Sequence, residues 1–128
     1  MTYLDSSVAL AQLFVEDRRP PENLWDEVLT ASRLLSYEVW NRVHSRHLVR
    51  IHEERVREIL DGIAFVELTP IVLARALESF PRPVRTLDAL HLATMEFLRG
   101  QGQTLELASY DVRLLEGARA LGIPIRAL

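Results

Sequence analysis

The chain has 128 residues, 48% of them apolar, which suits one compact domain with a sizeable core. It has no cysteine, which excludes disulfides, thiolate nucleophiles and zinc–thiolate sites. All 15 basic residues are arginine, so a P-loop lysine and a lysine Schiff base are excluded as well, and the net charge of −3 argues against a broadly nucleic-acid-coating surface.

Thr2–Asp5 reads as a short strand. Ser6 or Ser7 then caps a helix through Val15, with Val8, Leu10, Ala11 and Phe14 as its apolar positions. Asp17–Pro21 is a loop, and Pro21 opens a helix over Glu22–Val28. Val28–Ala31 is a second strand. Ser32 or Ser36 starts a long helix to about Val49, with Leu35, Val39 and Val43 at helical spacing. A further helix covers His52–Leu60 and stops at Gly62. Ile63–Leu68 is a strand, and Thr69-Pro70 is a helix start with proline at the first helical position. That helix ends near Phe80, before the rigid Pro81–Pro83 loop. Thr86 caps a helix to Leu98, terminated by Gly100 and Gly102. Thr104–Ala108 is a strand, Asp111–Leu121 a helix with Gly122 as its stop, and Ile123–Arg126 a last short strand. Alternation of this kind predicts a single α/β domain over residues 1–128, a three-layer α/β/α fold with a central parallel sheet. No apolar run approaches the ~20 residues that span a bilayer. The opening Met1–Asp17 has no basic leader and carries Asp5 early, so a cytoplasmic protein without membrane attachment is expected.

Open parallel sheets bind ligands outside the carboxyl ends of their strands. Asp5 ends the first strand, and Asp111 follows the Thr104–Ala108 strand by three residues. Glu38 lies in the first turns of the long helix and Asp88 in the first turn after Thr86. Four separate segments therefore bring acids to one edge. Each acid also has a purely structural alternative. Asp88 complements a helix dipole, Glu38 pairs with Arg42 at i,i+4, and Asp111 caps the last helix. Asp5 is hardest to explain this way, because a strand-end acid beside apolar residues is costly unless a cation or hydrogen bonds satisfy it. A carboxylate cluster suits magnesium-assisted phosphoester hydrolysis, since magnesium takes oxygen ligands and serves both the attacking and the leaving oxygen.

The motifs make the resemblance specific. Tyr3-Leu4-Asp5-Ser6-Ser7 resembles the opening strand and turn of PIN-domain proteins. Ser36-Tyr37-Glu38 resembles their second acidic position, and Leu87-Asp88-Ala89-Leu90-His91-Leu92-Ala93 their Asp-Ala-x-x-x-Ala motif. Ser109-Tyr110-Asp111 resembles the fourth, with serine where threonine is usual. Four motifs in order cover essentially the whole chain, and its length and Leu121-Gly122-Ile123 ending resemble the VapC toxins of toxin–antitoxin pairs. The resemblance implies an endoribonuclease using Mg²⁺ or Mn²⁺, an RNA substrate, a cognate antitoxin and a homodimer. It implies that Asp5, Glu38 and Asp88 hold the principal metal, that Asp111 completes the shell or holds a second ion, and that Ser7 and Ser109 support the carboxylates by hydrogen bonds. Leu10, Leu13, Phe14, Trp25 and Leu48 offer apolar surface for the dimer.

Two alternatives stand beside this reading. One is a metal-dependent phosphatase of another α/β type, although Asp5-Ser6-Ser7 lacks the Asp-x-Asp of haloacid-dehalogenase-like enzymes. The other is a PIN-like scaffold that binds without cleaving. His44, His47 and His52 lack an acid or cysteine at ligand spacing and read as part of an Arg-rich surface with Arg42, Arg46 and Arg50 rather than as a zinc site. His91, one turn after Asp88, packs beside the pocket or reaches a phosphate or water. Trp25 and Trp40 read as core or interface. No run of basic residues marks where RNA would lie.

Overall fold

The computed structural model describes residues 1–15 and 17–128. One sheet contains β1 (Thr2–Leu4), β2 (Leu29–Ser32), β3 (Ile63–Val66) and β4 (Glu106–Ala108). The strands lie in the order β3-β2-β1-β4, and every pairing is parallel. Among the described residues six α-helices cover it: α1 (Ser6–Phe14), α2 (Leu34–Ser45), α3 (Val49–Asp61), α4 (Pro70–Leu77), α5 (Thr86–Gly100) and α6 (Val112–Ala120). This is the α/β architecture expected from the sequence.

Strand alternation separates two cores. Leu4 packs with Val8 and Leu13 of α1, Leu35, Val39 and Val43 of α2, and Val56 of α3. Its neighbour Tyr3 points to the other side, among Leu92 and Met95 of α5 and Leu114 and Ala118 of α6. Leu107 and Ala108 divide the same way in β4. Successive residues of a strand face opposite sides, so a strand covered on both faces is apolar throughout. Helix α4 packs on α5. No helix among the described residues is long and apolar enough to cross a membrane.

Several local signals act as read. Thr69 Oγ1 accepts from the Val72 amide with Pro70 at the helix start, and Gly62 ends α3. Others do not. Asp5, not Ser6 or Ser7, caps α1, its Oδ2 accepting from the Ser7 amide at 3.3 Å. A carboxylate one residue before two hydroxyls is the stronger acceptor for an orphan amide. Arg85 rather than Thr86 occupies the cap of α5. Glu22–Asp26 forms a 3-10 helix behind Pro21. The long helix ends at Ser45, because His47 turns left-handed at φ 56°, and α3 starts at Val49, three residues before His52. The expected strand Ile123–Arg126 reduces to one bridge, Ile125 with Leu107. Pro124 beside it has no amide to extend a ladder.

Candidate active site

The chain leaves β1, builds β2 and β3 on one side, and returns to place β4 on the other. The direction of winding reverses at β1 and β4, which is where open α/β sheets bind ligands. Asp5 follows β1 and Asp111 lies three residues beyond β4, at the same sheet edge. Glu38 comes from the second turn of α2, which follows β2, and Asp88 from the first turn of α5. An open cavity of about 870 Å³ is lined by all four acids, together with Ser7, His91, Arg42, Arg85 and Arg113.

Hydrogen bonds fix the Asp5 carboxylate. It is 5% exposed. Its Oδ2 accepts from Ser7 Oγ at 2.5 Å and from Ser109 Oγ at 2.9 Å. Ser7 Oγ in turn accepts the Tyr110 amide at 2.9 Å, and Ser109 Oγ accepts the Asp111 amide at 2.9 Å. The two serines thus tie the turn after β1 to the turn after β4. The hydroxyl that Ser109 shares with threonine is the functional part of that position. Asp111 caps α6, its Oδ1 accepting from the Arg113 and Leu114 amides at 3.0 and 3.4 Å. Its capping role and its place on the cavity wall coexist.

Glu38 does not make the pairing with Arg42 that was the structural alternative to a site role. Its Oε1 accepts from His91 Nε2 at 2.7 Å, and no ion pair joins it to Arg42 among the described residues. His91 is 2% exposed and packs beside the pocket. Helical spacing places it on the same side of α5 as Asp88, but its partner Glu38 is distant in sequence, and no local pattern announces that contact.

Electrostatics single out Asp5 and Asp88. Burial raises the Asp5 carboxyl above the usual carboxylate range and Glu38 adds to this, although His91, Ser7 and Ser109 oppose it. Asp88 is also raised, first by burial and then by the charges of Asp111 and Asp5, against His91 and Arg85. Burial and like charge both disfavour the ionised form. The sequence led to the expectation that the four carboxylates meet at ion-bridging distance. Instead they surround the cavity, and among the described residues no three acids or histidines are close enough to share one ion. Three of them have their own donors: the serines for Asp5, His91 for Glu38 and the α6 amides for Asp111. The donor set is nevertheless the all-oxygen one that a hard dication takes. Four carboxylates facing one space, two of them raised, are chemically suited to such an ion.

Basic residues absent as a sequence cluster are assembled by the fold. Arg42 of α2, Arg85 before α5 and Arg113 of α6 line the cavity, and none forms an ion pair with an acid among the described residues. A second cleft of about 360 Å³ opens beside it, sharing Arg85, Asp88 and Arg113 and adding Arg82. The apolar residues assigned to a dimer surface are largely absorbed by the core. Leu13 is buried, and Leu10, Phe14 and Trp25 pack against it.

The PIN domain family matches residues 2–120, and the chain belongs to that family. It is similar to Ribonuclease VapC47 of Mycobacterium tuberculosis (strain CDC 1551 / Oshkosh), 32% identical with 95% of this chain and 93% of that protein covered. Ribonuclease VapC35 of the same organism is 26% identical, covering 99% of this chain and 96% of its own. A toxin–antitoxin complex from Klebsiella pneumoniae contains a chain of the same fold, with a TM-score of 0.64, 20% identity and 94% of each chain covered.

Proposed function

We propose that this protein is a divalent-cation-dependent endoribonuclease and the toxin of a toxin–antitoxin pair. The observation that carries the reading is the convergence of Asp5, Glu38, Asp88 and Asp111 on one cavity that also holds three arginines free of carboxylate partners among the described residues. Asp5, Glu38 and Asp88 would draw inward from their places around the cavity to hold the principal ion, magnesium or manganese in its place, and Asp111 would complete the shell or hold a second ion. Such an ion, when bound, supplies an acidified water and stabilises charge on phosphate oxygens. Ser7 and Ser109 hold the Asp5 carboxylate in one orientation, as groups behind metal ligands commonly do. Arg42, Arg85 and Arg113 present planar forks to the phosphates on either side of the cleaved bond. The relatives named as ribonucleases support the reaction, and the toxin–antitoxin complex of the same fold supports the partner. A cytoplasmic location, an antitoxin that restrains cleavage, and a homodimer complete the proposal. Light scattering that finds only monomer at every concentration would remove the dimer.

The test uses the purified protein, an RNA transcript, the matching DNA and a small phosphate monoester. Each is incubated with magnesium, manganese or excess chelator, alongside Asp5→Asn and Asp88→Asn. Internal cleavage of RNA, abolished by chelator and by either variant, is the expected result. Phosphate release from the monoester without RNA cleavage would favour a phosphatase. No turnover of any substrate under all metal conditions would favour a scaffold.

A further inference from the structure

The His91 contact continues behind the site. His91 Nδ1 lies 2.8 Å from the Tyr3 hydroxyl, and the Tyr3 oxygen accepts from the Ser32 amide at 3.1 Å. The two rings meet edge-on, with centroids 6.0 Å apart and planes at 82°. Tyr3 is fully buried in β1, Ser32 ends β2, Glu38 is on α2 and His91 on α5. One line of contacts therefore crosses two strands and two helices.

The Glu38 end of the line has a fixed polarity, and the Tyr3 end follows the charge of the ring. An ionised carboxylate only accepts, so the Nε2 facing Glu38 carries a proton whether the ring is neutral or charged. In the neutral ring Nδ1 is an acceptor. The Tyr3 O–H is able to donate to it, because the Ser32 amide occupies an oxygen lone pair and not the hydroxyl proton. With a neutral ring the order is Ser32 N–H to Tyr3, Tyr3 O–H to His91 Nδ1, and His91 Nε2–H to Glu38; with a charged ring Nδ1–H donates to the Tyr3 oxygen, and the bond to Glu38 keeps its direction. Only one oxygen of Glu38 is taken up among the described residues, since Oε1 alone receives His91. Glu38 is a long side chain with no arginine pinning it among the described residues, and the side chain is 21% exposed and lines the cavity.

We infer that His91 is a positioning residue that aims Glu38 into the cavity, and that Tyr3 sets the ring that does so. The inference rests on the reading of Glu38 as a metal ligand. A freely rotating glutamate loses torsional freedom on binding an ion, and a glutamate already held loses less. Groups that orient ligands in this way are typically worth about 10–100-fold in metal affinity.

The test measures Mn²⁺ affinity of the folded protein by calorimetry, without turnover. His91→Gln places its amide nitrogen where Nε2 stood and keeps the donor to Glu38. His91→Asn places its amide where Nδ1 stood, keeps the Tyr3 side and loses Glu38. Asn should weaken Mn²⁺ binding by about 10–100-fold, and Gln should restore it to within a few-fold of the parent. A role confined to packing predicts that both variants melt lower and bind Mn²⁺ alike. Equal affinities in Asn and Gln, whether both normal or both weak, would overturn the inference. Should Asn not fold, Tyr3→Phe decides, because it keeps the ring volume and removes the anchor: weakened Mn²⁺ binding is expected, and parental affinity overturns the role given to Tyr3 and His91. A parent that binds no Mn²⁺ overturns the metal reading itself. Asp5→Asn losing affinity while His91→Asn keeps it overturns only the positioning role.

Discussion

Replacing Asp5 with asparagine separates stability from metal binding. The carboxylate is buried at 5% exposure and raised above its usual range chiefly by burial. A neutral amide removes the buried charge while its oxygen can still take a serine donor. The metal-free variant should therefore melt at or above the parent. The response to magnesium should move the other way. At a concentration 100 times Kd, a ligand stabilises the folded state by about 2.7 kcal/mol. For 128 residues, the usual unfolding entropy converts this to about 10 °C in Tm. A tenfold weaker site keeps about 5 °C at the same concentration, and a hundredfold weaker one about 1.5 °C. Thermal melts with chelator and with magnesium, beside an RNA cleavage assay, read all three effects. An Asp5→Asn protein that keeps the full magnesium shift and cleaves RNA normally would refute the assignment of Asp5 as a ligand.

Other outcomes follow from the same geometry. Asp5 and Asp88 are both raised, so between the unfolded and folded pKa values the native state binds more protons than the unfolded one. Their contribution lowers the stability of metal-free protein as pH rises from about 4, and Asp5→Asn should flatten the profile recorded in denaturant melts with chelator. Arg113→Ala should raise KM for RNA and reduce the salt slope of binding by about 0.7 for a single strand, leaving the magnesium shift in Tm unchanged; a changed shift with an unchanged slope would contradict its role on phosphate. Val15 ends α1 in the left-handed region at φ 52° and is exposed. That conformation costs a β-branched residue about 1–2 kcal/mol, partly offset in glycine by chain entropy. Val15→Gly should raise Tm by about 2–4 °C, and a lower Tm would show that Val15 contributes packing that outweighs the strain.

Much of this site can be read from the sequence because each acid sits next to a local structural signal. Asp5 precedes a helix, Asp88 lies in a first turn, and Asp111 precedes another helix, so secondary structure alone brings them to one sheet edge. The contacts that hold them are another matter. The Ser109 hydroxyl reaches Asp5 across 104 residues and His91 reaches Glu38 across 53; no periodicity encodes such pairs, and only the motif resemblance pointed to Ser109, while nothing pointed to the His91–Glu38 contact. The grouping of arginines is hidden for the same reason: Arg42, Arg85 and Arg113 are far apart in sequence and line one cavity only after α2, α5 and α6 pack. The break between α2 and α3 falls before Val49 rather than after it, because His47 makes the turn where glycine or asparagine would have signalled it.

The position of β1 between β2 and β4 bears on how the protein is made. Thr2 pairs with Glu106, so the strand synthesised first waits for the one synthesised last. At ordinary translation rates of about 5–20 residues per second, that interval is about 5–20 s. Until β4 arrives, Asp5 lacks the Ser109 hydroxyl, Asp111 is unplaced and one flank of β1 is bare. A nascent chain that has not yet presented β4 cannot assemble the cavity, so under the proposed function cleavage waits for the finished sheet.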